Sequence, residues 1–223
     1  MNSSHLMWFS PIALLFLIAP FTSTIDFALS QMSYLTNSFH SGPLLDFIFK
    51  WGLLPGQLLI AFSLIALTVS YLVNKYKRYR KQALYLVATL AIGAGFITHA
   101  LLKDHWGRPR PRQVIEFGGT EEYRPFWKPN FSKQSKSMKS FPCGHCTMGF
   151  AFFSFYFLGK RLKKPWVSIL GTFASLLLGI GLGAARILQG GHFFSDILAT
   201  ALIMWLTALM FDKILFEEKG TAQ

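Results

Sequence analysis

Charged residues are scarce in this chain of 223 residues. Asp, Glu, Lys and Arg together make up 14% of the sequence, whereas an ordinary soluble domain carries about a quarter. Apolar residues account for 52% of the chain. This composition argues against an ordinary soluble domain and suits a bundle of about six membrane helices, each needing roughly 20 apolar residues.

Cysteine is also scarce, because the chain has only Cys143 and Cys146. Two cysteines are too few for the disulfide framework of a small secreted domain. Their C-x-x-C spacing leaves three interpretations open, namely an inert pair, a redox-sensitive pair and a metal site, of which we favour the inert pair. A haem-attachment motif is excluded because Thr147 follows the second cysteine where that motif needs histidine.

Acidic residues are outnumbered by basic ones, 10 to 22, which gives a net charge of +12. In a soluble protein this excess would suggest nucleic acid, and in a membrane protein it fits anionic headgroups or an anionic substrate. One connection, residues 112–140, could stack and pair with single-stranded nucleic acid. Because membrane segments flank it, we expect it at the headgroup zone and expect no nucleic-acid partner. It interleaves Phe117, Tyr123, Phe126, Trp127 and Phe131 with Arg124, Lys128, Lys133, Lys136 and Lys139.

Long apolar segments predict an all-α protein, a six-transmembrane-helix bundle that forms one integral-membrane domain over residues 1–223. A signal peptide is the alternative for the first segment. That segment lacks a preceding Lys or Arg and a clear cleavage site, so we expect a retained helix. The segments are residues 6–22, 51–73, 82–102, 143–158, 165–185 and 195–216.

The short connections 74–81 and 160–164 are densely basic. Such loops face the cytoplasm under the positive-inside rule. Six crossings then place both termini in the cytoplasm and the connections 23–50, 103–141 and 186–194 on the outer face. We therefore expect an integral protein of a bacterial inner membrane, with its polar clusters on the periplasmic side.

Three polar clusters lie at the outer ends of these segments. Each contributes a charged or anion-binding group, and the cations Lys103, Arg110 and Arg186 would repel one another without an anion between them. Phosphate suits them because a guanidinium donates two parallel hydrogen bonds to its oxygens. The amides at a helix start beside Pro142 and Gly144 would add further donors. The clusters are residues 103–111, 141–145 and 186–196.

His192 and Asp196 are four residues apart at the start of the last segment, so they share one helix face. A carboxylate that holds one imidazole nitrogen makes the other nitrogen a better nucleophile or base. His145, from another segment, could protonate a leaving oxygen. Such a pair alone is often structural, but beside three cations it predicts a phosphoryl-transfer site.

These clusters resemble the three motifs of the type 2 phosphatidic acid phosphatase superfamily, which includes bacterial membrane lipid phosphatases and vanadium haloperoxidases. Its motif K-x6-R-P is matched by Lys103, Arg110 and Pro111. Its motif P-S-G-H is matched by Pro142, Gly144 and His145, with Cys143 in place of serine. Its motif S-R-x5-H-x3-D is matched by Arg186, His192 and Asp196, with Ala185 in place of serine. The apolar segments exclude a soluble haloperoxidase.

The resemblance implies a role for each matched residue. His192 attacks phosphorus and forms a phosphohistidine, Asp196 orients His192, and His145 protonates the leaving group. It also implies that no metal and no other cofactor is needed, and the sequence has no carboxylate cluster suited to Mg²⁺. The phosphate-binding groups are Lys103, Arg110, Arg186, the Gly144 amide and Cys143.

The expected function is hydrolysis of a phosphate monoester or pyrophosphate on a lipid, with the lipid and the bilayer as partners and no obligate protein partner. Candidate substrates are lipid A, undecaprenyl pyrophosphate, phosphatidylglycerol phosphate and phosphatidic acid; the aromatic and basic connection favours lipid A or a pyrophosphate lipid. A lipid phosphotransferase and a non-catalytic lipid-phosphate binder or carrier are the alternatives. His99 could touch the site, but we favour a satisfied buried histidine. His105, Trp106 and Arg108 could contact substrate or headgroups and are left unassigned.

Overall fold

The computed structural model describes residues 3–131 and 138–217. Within them the architecture is helical, which confirms the all-α prediction. The strands found there are β1 (Tyr34–Leu35) and β2 (Ser38–Phe39), which pair antiparallel as a small hairpin. Lys133 and Lys136 of the aromatic and basic connection lie outside the described residues.

Eight α-helices follow one another along the described chain. They are α1 (Ser3–Ser33), α2 (Pro43–Trp51), α3 (Leu54–Leu72), α4 (Arg80–Thr89), α5 (Gly144–Phe150), α6 (Phe153–Arg161), α7 (Pro165–Leu188) and α8 (Phe194–Phe216). Short 3-10 helices occupy Asn74–Tyr79, Pro111–Gln113 and Ile115–Phe117.

Five helical stretches of the described chain are long and apolar enough to cross a membrane, namely Leu6–Ser33, Pro43–Leu72, Asn74–Lys103, Pro165–Leu188 and Phe194–Phe216. The fourth predicted segment, residues 143–158, is divided by a turn at residues 151–152 into α5 and α6. Both halves pack against α7 and α8. The described bundle therefore has five helical stretches long enough to cross a membrane, together with the pair of shorter helices α5 and α6.

The first helix extends well beyond the predicted segment. We expected residues 23–50 to be a connection, but α1 continues to Ser33 despite Pro11 and Pro20 in its interior. Proline removes a backbone hydrogen bond, which membrane helices tolerate when neighbouring groups satisfy the freed carbonyl. The extension places Asp26 inside the bundle, where it is fully buried.

Beyond α4 the helix widens into a π-helical stretch, Leu90–Lys103. The hydroxyl of Thr98 donates to the carbonyl of Gly93, five residues earlier, at 2.8 Å. Wider turns of this kind are frequent at functional sites. This stretch ends at Lys103, so its geometry sets where the first motif begins.

Close contact between α5 and α7 depends on two glycines. A Cβ built on Gly149 would lie 2.6 Å from the Cα of Gly179, and one built on Gly179 would lie 2.8 Å from Cγ of Phe150. Small residues let membrane helices approach closely. The contact brings α5, which carries the second motif, against α7, which ends near the third.

We expect Gly179→Ala to destabilise the protein by about 1–3 kcal/mol, because the added methyl group overpacks the Phe150 ring. The measurement is thermal unfolding in detergent. Gly181→Ala is the matched control, since a Cβ built on Gly181 has no atom within 4 Å. Equal unfolding temperatures for the two variants would contradict the role of this contact.

Candidate active site

The three predicted motifs meet at one end of the bundle. Lys103 Nζ donates to the carbonyl of Pro142 at 3.4 Å. A Cβ built on Gly144 would lie 3.5 Å from Lys103 Nζ and 2.7 Å from His99. The first motif therefore contacts the second at the turn that opens α5.

Cys143 caps the N-terminus of α5, with its Sγ accepting from the amide of Cys146 at 3.4 Å. The two cysteines are joined by a disulfide. A disulfide sulfur carries no S–H, so in this state the side chain of Cys143 cannot donate to phosphate. Its amide donates to Thr200 Oγ1 at 2.9 Å. Of the two phosphate-binding groups predicted at this turn, the Gly144 amide therefore remains a donor and the Cys143 side chain does not.

His192 lies in the connection between α7 and α8 and is 1% exposed. Its Nδ1 is 3.5 Å from Asp196 Oδ2, which is long for a hydrogen bond, and it has no closer partner in the described chain. Catalytic hydrogen bonds often tighten only when substrate binds. Burial lowers the pKa of His192 to about 3, with Lys103 and Arg186 adding to the effect and Asp196 opposing it. The imidazole is therefore neutral at neutral pH.

Asp196 is held on both carboxylate oxygens. Oδ2 accepts from Ser140 Oγ at 2.6 Å and from the Phe193 amide at 2.9 Å. Oδ1 accepts from Arg108 Nη1 at 2.5 Å. Three separate segments thus fix the orientation of this carboxylate: Ser140 lies before α5, Phe193 lies before α8, and Arg108 follows the π-helical stretch.

Arg186 is buried at the end of α7, and Nη1 donates to Gln189 Oε1 at 2.5 Å. Gly191 permits its approach, because a Cβ there would lie 2.9 Å from Arg186 Nε. Phe49, on α2, lies with its ring 4.8 Å from the Arg186 guanidinium and stacks on His145 at 4.5 Å. The sequence analysis missed Phe49, since a phenylalanine in an apolar helix carries no distinctive signal.

Burial lowers the pKa of His145 to about 4, and the positive charges of Arg186, Lys103 and Arg110 add to the effect. Burial, and next the charge of Arg112, lower the pKa of Arg110, but its guanidinium stays charged. The Nε atoms of Arg110 and Arg186 are buried and have no acceptor within residues 3–131 and 138–217. Clustered positive groups with unused donors suit an anion with several oxygens.

No three His, Cys, Asp or Glu side chains gather as a metal site in the part of the chain that the structure describes. The two carboxylates beside the motifs, Asp26 and Asp196, are both paired with Arg108. The groups that could hold an anion here are therefore cationic side chains and the Gly144 amide.

Neighbours of the motifs differ from expectation. The interpretation of His99 as a buried histidine is wrong, because it is exposed, lies against Gly144 and borders an apolar cavity.

Trp106 is structural, with Nε1 donating to the Phe126 carbonyl at 2.8 Å and its ring 4.7 Å from that of Phe141. Arg108 is buried and bonds Asp196 directly, although its sequence position gave it no role.

Known proteins place this geometry in a family. Residues 82–219 match the PAP2 superfamily. A lipid A 4'-phosphatase of Francisella tularensis subsp. novicida is 35% identical over 164 residues, 72% of each chain. One from Rhizobium leguminosarum is 30% identical over 125 residues, 56% of this chain and 49% of the relative. No solved structure matches. Because the family match spans more than half of the chain and contains all three motifs, the chain belongs to the PAP2 superfamily and is a membrane lipid phosphatase.

Proposed function

We propose that this phosphatase removes the 4'-phosphate of lipid A at the periplasmic face of a bacterial inner membrane, through a phosphohistidine on His192. The observation that carries the proposal is a buried, neutral His192 beside Asp196, with three cations around the neighbouring His145. Among the four candidate lipids, lipid A is favoured by relatives named lipid A 4'-phosphatases.

In the first step, Nδ1–H of His192 is held toward Asp196, which leaves the lone pair of Nε2 for attack on phosphorus. The phosphorus–nitrogen bond forms as the bond from phosphorus to the leaving sugar oxygen breaks. His145 gives its proton to that oxygen. Phe49, which packs on His145, is 41% exposed, so its ring can also contact the departing sugar.

In the second step, water attacks the phosphorus of the phosphohistidine. His145 takes a proton from the water, the phosphorus–nitrogen bond breaks, and neutral His192 is restored. Lys103, Arg110 and Arg186 face the charge on the transferring group in both steps, and guanidinium pairs with phosphate oxygens are bidentate and strong.

Two features support a periplasmic site. The Cys143–Cys146 disulfide lies at the site end of the bundle, and disulfides persist in oxidising compartments such as the periplasm. The basic connections lie at the opposite end, because α4 begins at Arg80 and runs toward Lys103 while α7 begins at Pro165 and runs toward the site. Short basic loops of this kind face the cytoplasm.

Purified protein should release phosphate from lipid A, and mass spectrometry of the product should show loss at the 4' position. We expect His192→Ala to abolish turnover, because no nucleophile remains, and excess EDTA to leave turnover unchanged. Undecaprenyl pyrophosphate, phosphatidylglycerol phosphate and phosphatidic acid are the comparison substrates.

Each outcome of this screen is informative. Faster hydrolysis of another lipid overturns the assignment of lipid A, and transfer of labelled phosphate to an added acceptor lipid identifies a phosphotransferase. Absence of release from every lipid identifies a binder or carrier, and a fully active His192→Ala protein eliminates the histidine mechanism.

The rate should show no acid-side loss from protonation of His192 between about pH 8 and about pH 5, because burial lowers the pKa of His192 to about 3. His145 should gain the proton it donates only in the substrate complex, because burial and the neighbouring cations hold its pKa at about 4 until the negative charge of the phosphate offsets them. Turnover at saturating substrate tests this. Substrate phosphate itself titrates near about pH 6, so lipid binding to His192→Ala at each pH is the control. An acid limb near neutrality that this control does not reproduce would refute the buried neutral nucleophile.

A further inference from the structure

Arg108 occupies one of the unspecified positions of the first motif, yet it is 1% exposed and all five of its N–H donors have acceptors. Arginine alone presents five donors in a planar fork. The bonds run from Nε to the Arg124 carbonyl (2.8 Å), from Nη1 to Ser195 Oγ (2.8 Å) and Asp196 Oδ1 (2.5 Å), and from Nη2 to Asp26 Oδ2 (2.8 Å) and Tyr123 Oη (3.4 Å).

Asp26, on α1, is the second carboxylate of this group and is fully buried. Its Oδ1 accepts from the Ser195 amide at 2.8 Å, and its Oδ2 accepts from Ser195 Oγ at 2.6 Å and from the Tyr123 hydroxyl at 2.9 Å. Asp26 precedes residues 82–219, the part that matches the family. The first helix therefore contacts the start of α8 through a carboxylate that the family match does not include.

We propose that Asp26 and Arg108 are positioning residues, which form with Asp196 a buried chain of alternating charge that orients His192. Arg108 occupies Oδ1 of Asp196 and leaves Oδ2 facing His192 Nδ1, 3.5 Å away. Asp26 holds the other edge of the same guanidinium. The inference rests on the proposed role of His192 as nucleophile.

Arg108 keeps its positive charge across the working pH range. Burial disfavours the guanidinium charge of Arg108, but the carboxylates of Asp196 and Asp26 outweigh it and raise the pKa of Arg108. Its guanidinium also lies 4.5 Å from the Phe193 ring, which covers one of its faces. A small displacement of Asp196 would misalign His192, and misplacement by about 1 Å can cost about 100-fold in rate.

The test compares Arg108→Gln, Arg108→Lys and Asp26→Asn with the unaltered protein in kcat, KM and the rate at which labelled phosphate appears on His192. We expect Arg108→Gln to lower kcat by about 100-fold and Asp26→Asn by about 10-fold, with KM changed by less than about threefold. Arg108→Lys should have a kcat between those of Arg108→Gln and the unaltered protein, because lysine keeps the positive charge but lacks the planar fork of donors. Combining Asp26→Asn with Arg108→Gln should add little beyond Arg108→Gln.

A matched control lies at the far end of the bundle, where Arg161 Nη2 pairs with Asp212 Oδ2 at 2.7 Å and joins α6 to α8. Asp212 is about 24 Å along α8 from Asp196. Arg161→Gln should lower the unfolding temperature while leaving the kcat of folded protein unchanged. If Arg108→Gln and Asp26→Asn behave in this same way, the positioning role is wrong.

If Arg108→Gln does not fold, Asp26→Asn tests the positioning role, because this substitution keeps the shape of the side chain. An unchanged kcat in Asp26→Asn would overturn the proposal. Turnover of the parent protein and its loss in His192→Ala are measured first on the same lipid. Failure at that stage counts against the proposed function. Full kcat in the Asp26 variant, with turnover still dependent on His192, counts against the positioning role alone.

Discussion

The arrangement of this bundle depends on how one buried positive charge is balanced. A guanidinium inside protein costs several kcal/mol unless its charge and every donor are satisfied. Arg108 meets that condition only when Asp26 of α1 and Asp196 of α8 lie on either side of it. The pairing draws the first and last helices together at one end, where the remaining motif residues collect around the same point.

The motifs themselves were readable from the sequence. His192 and Asp196 are four residues apart, and that spacing predicts that they lie close together, although His192 precedes α8 and does not share its helical face. Lys103 and Gly144 come from distant segments, but placing both segment ends on one side of the membrane already brought them close. Asp26 could not be assigned in this way, because its partners are far along the chain and no periodicity links them. The available signal was a lone acidic residue next to a long apolar run.

Helix existence was easier to predict than helix continuity. Apolar content located the long helical stretches, but it does not report backbone geometry, so neither the turn between α5 and α6 nor the π-helical stretch before Lys103 could be foreseen. The predicted first segment ended at residue 22. The helix continues because backbone groups within a bundle need internal partners, and Asp26 is satisfied there by Ser195.

The contact between Asp26 and Ser195 also joins two helices that are synthesised far apart in time. Its two residues are separated by 169 positions, and chains are synthesised from the N-terminus. A nascent chain that has inserted α1 through α7 has neither His192 nor the carboxylate beside it. The proposed nucleophile therefore joins the bundle only after the first seven helices, together with the residues that hold it in place.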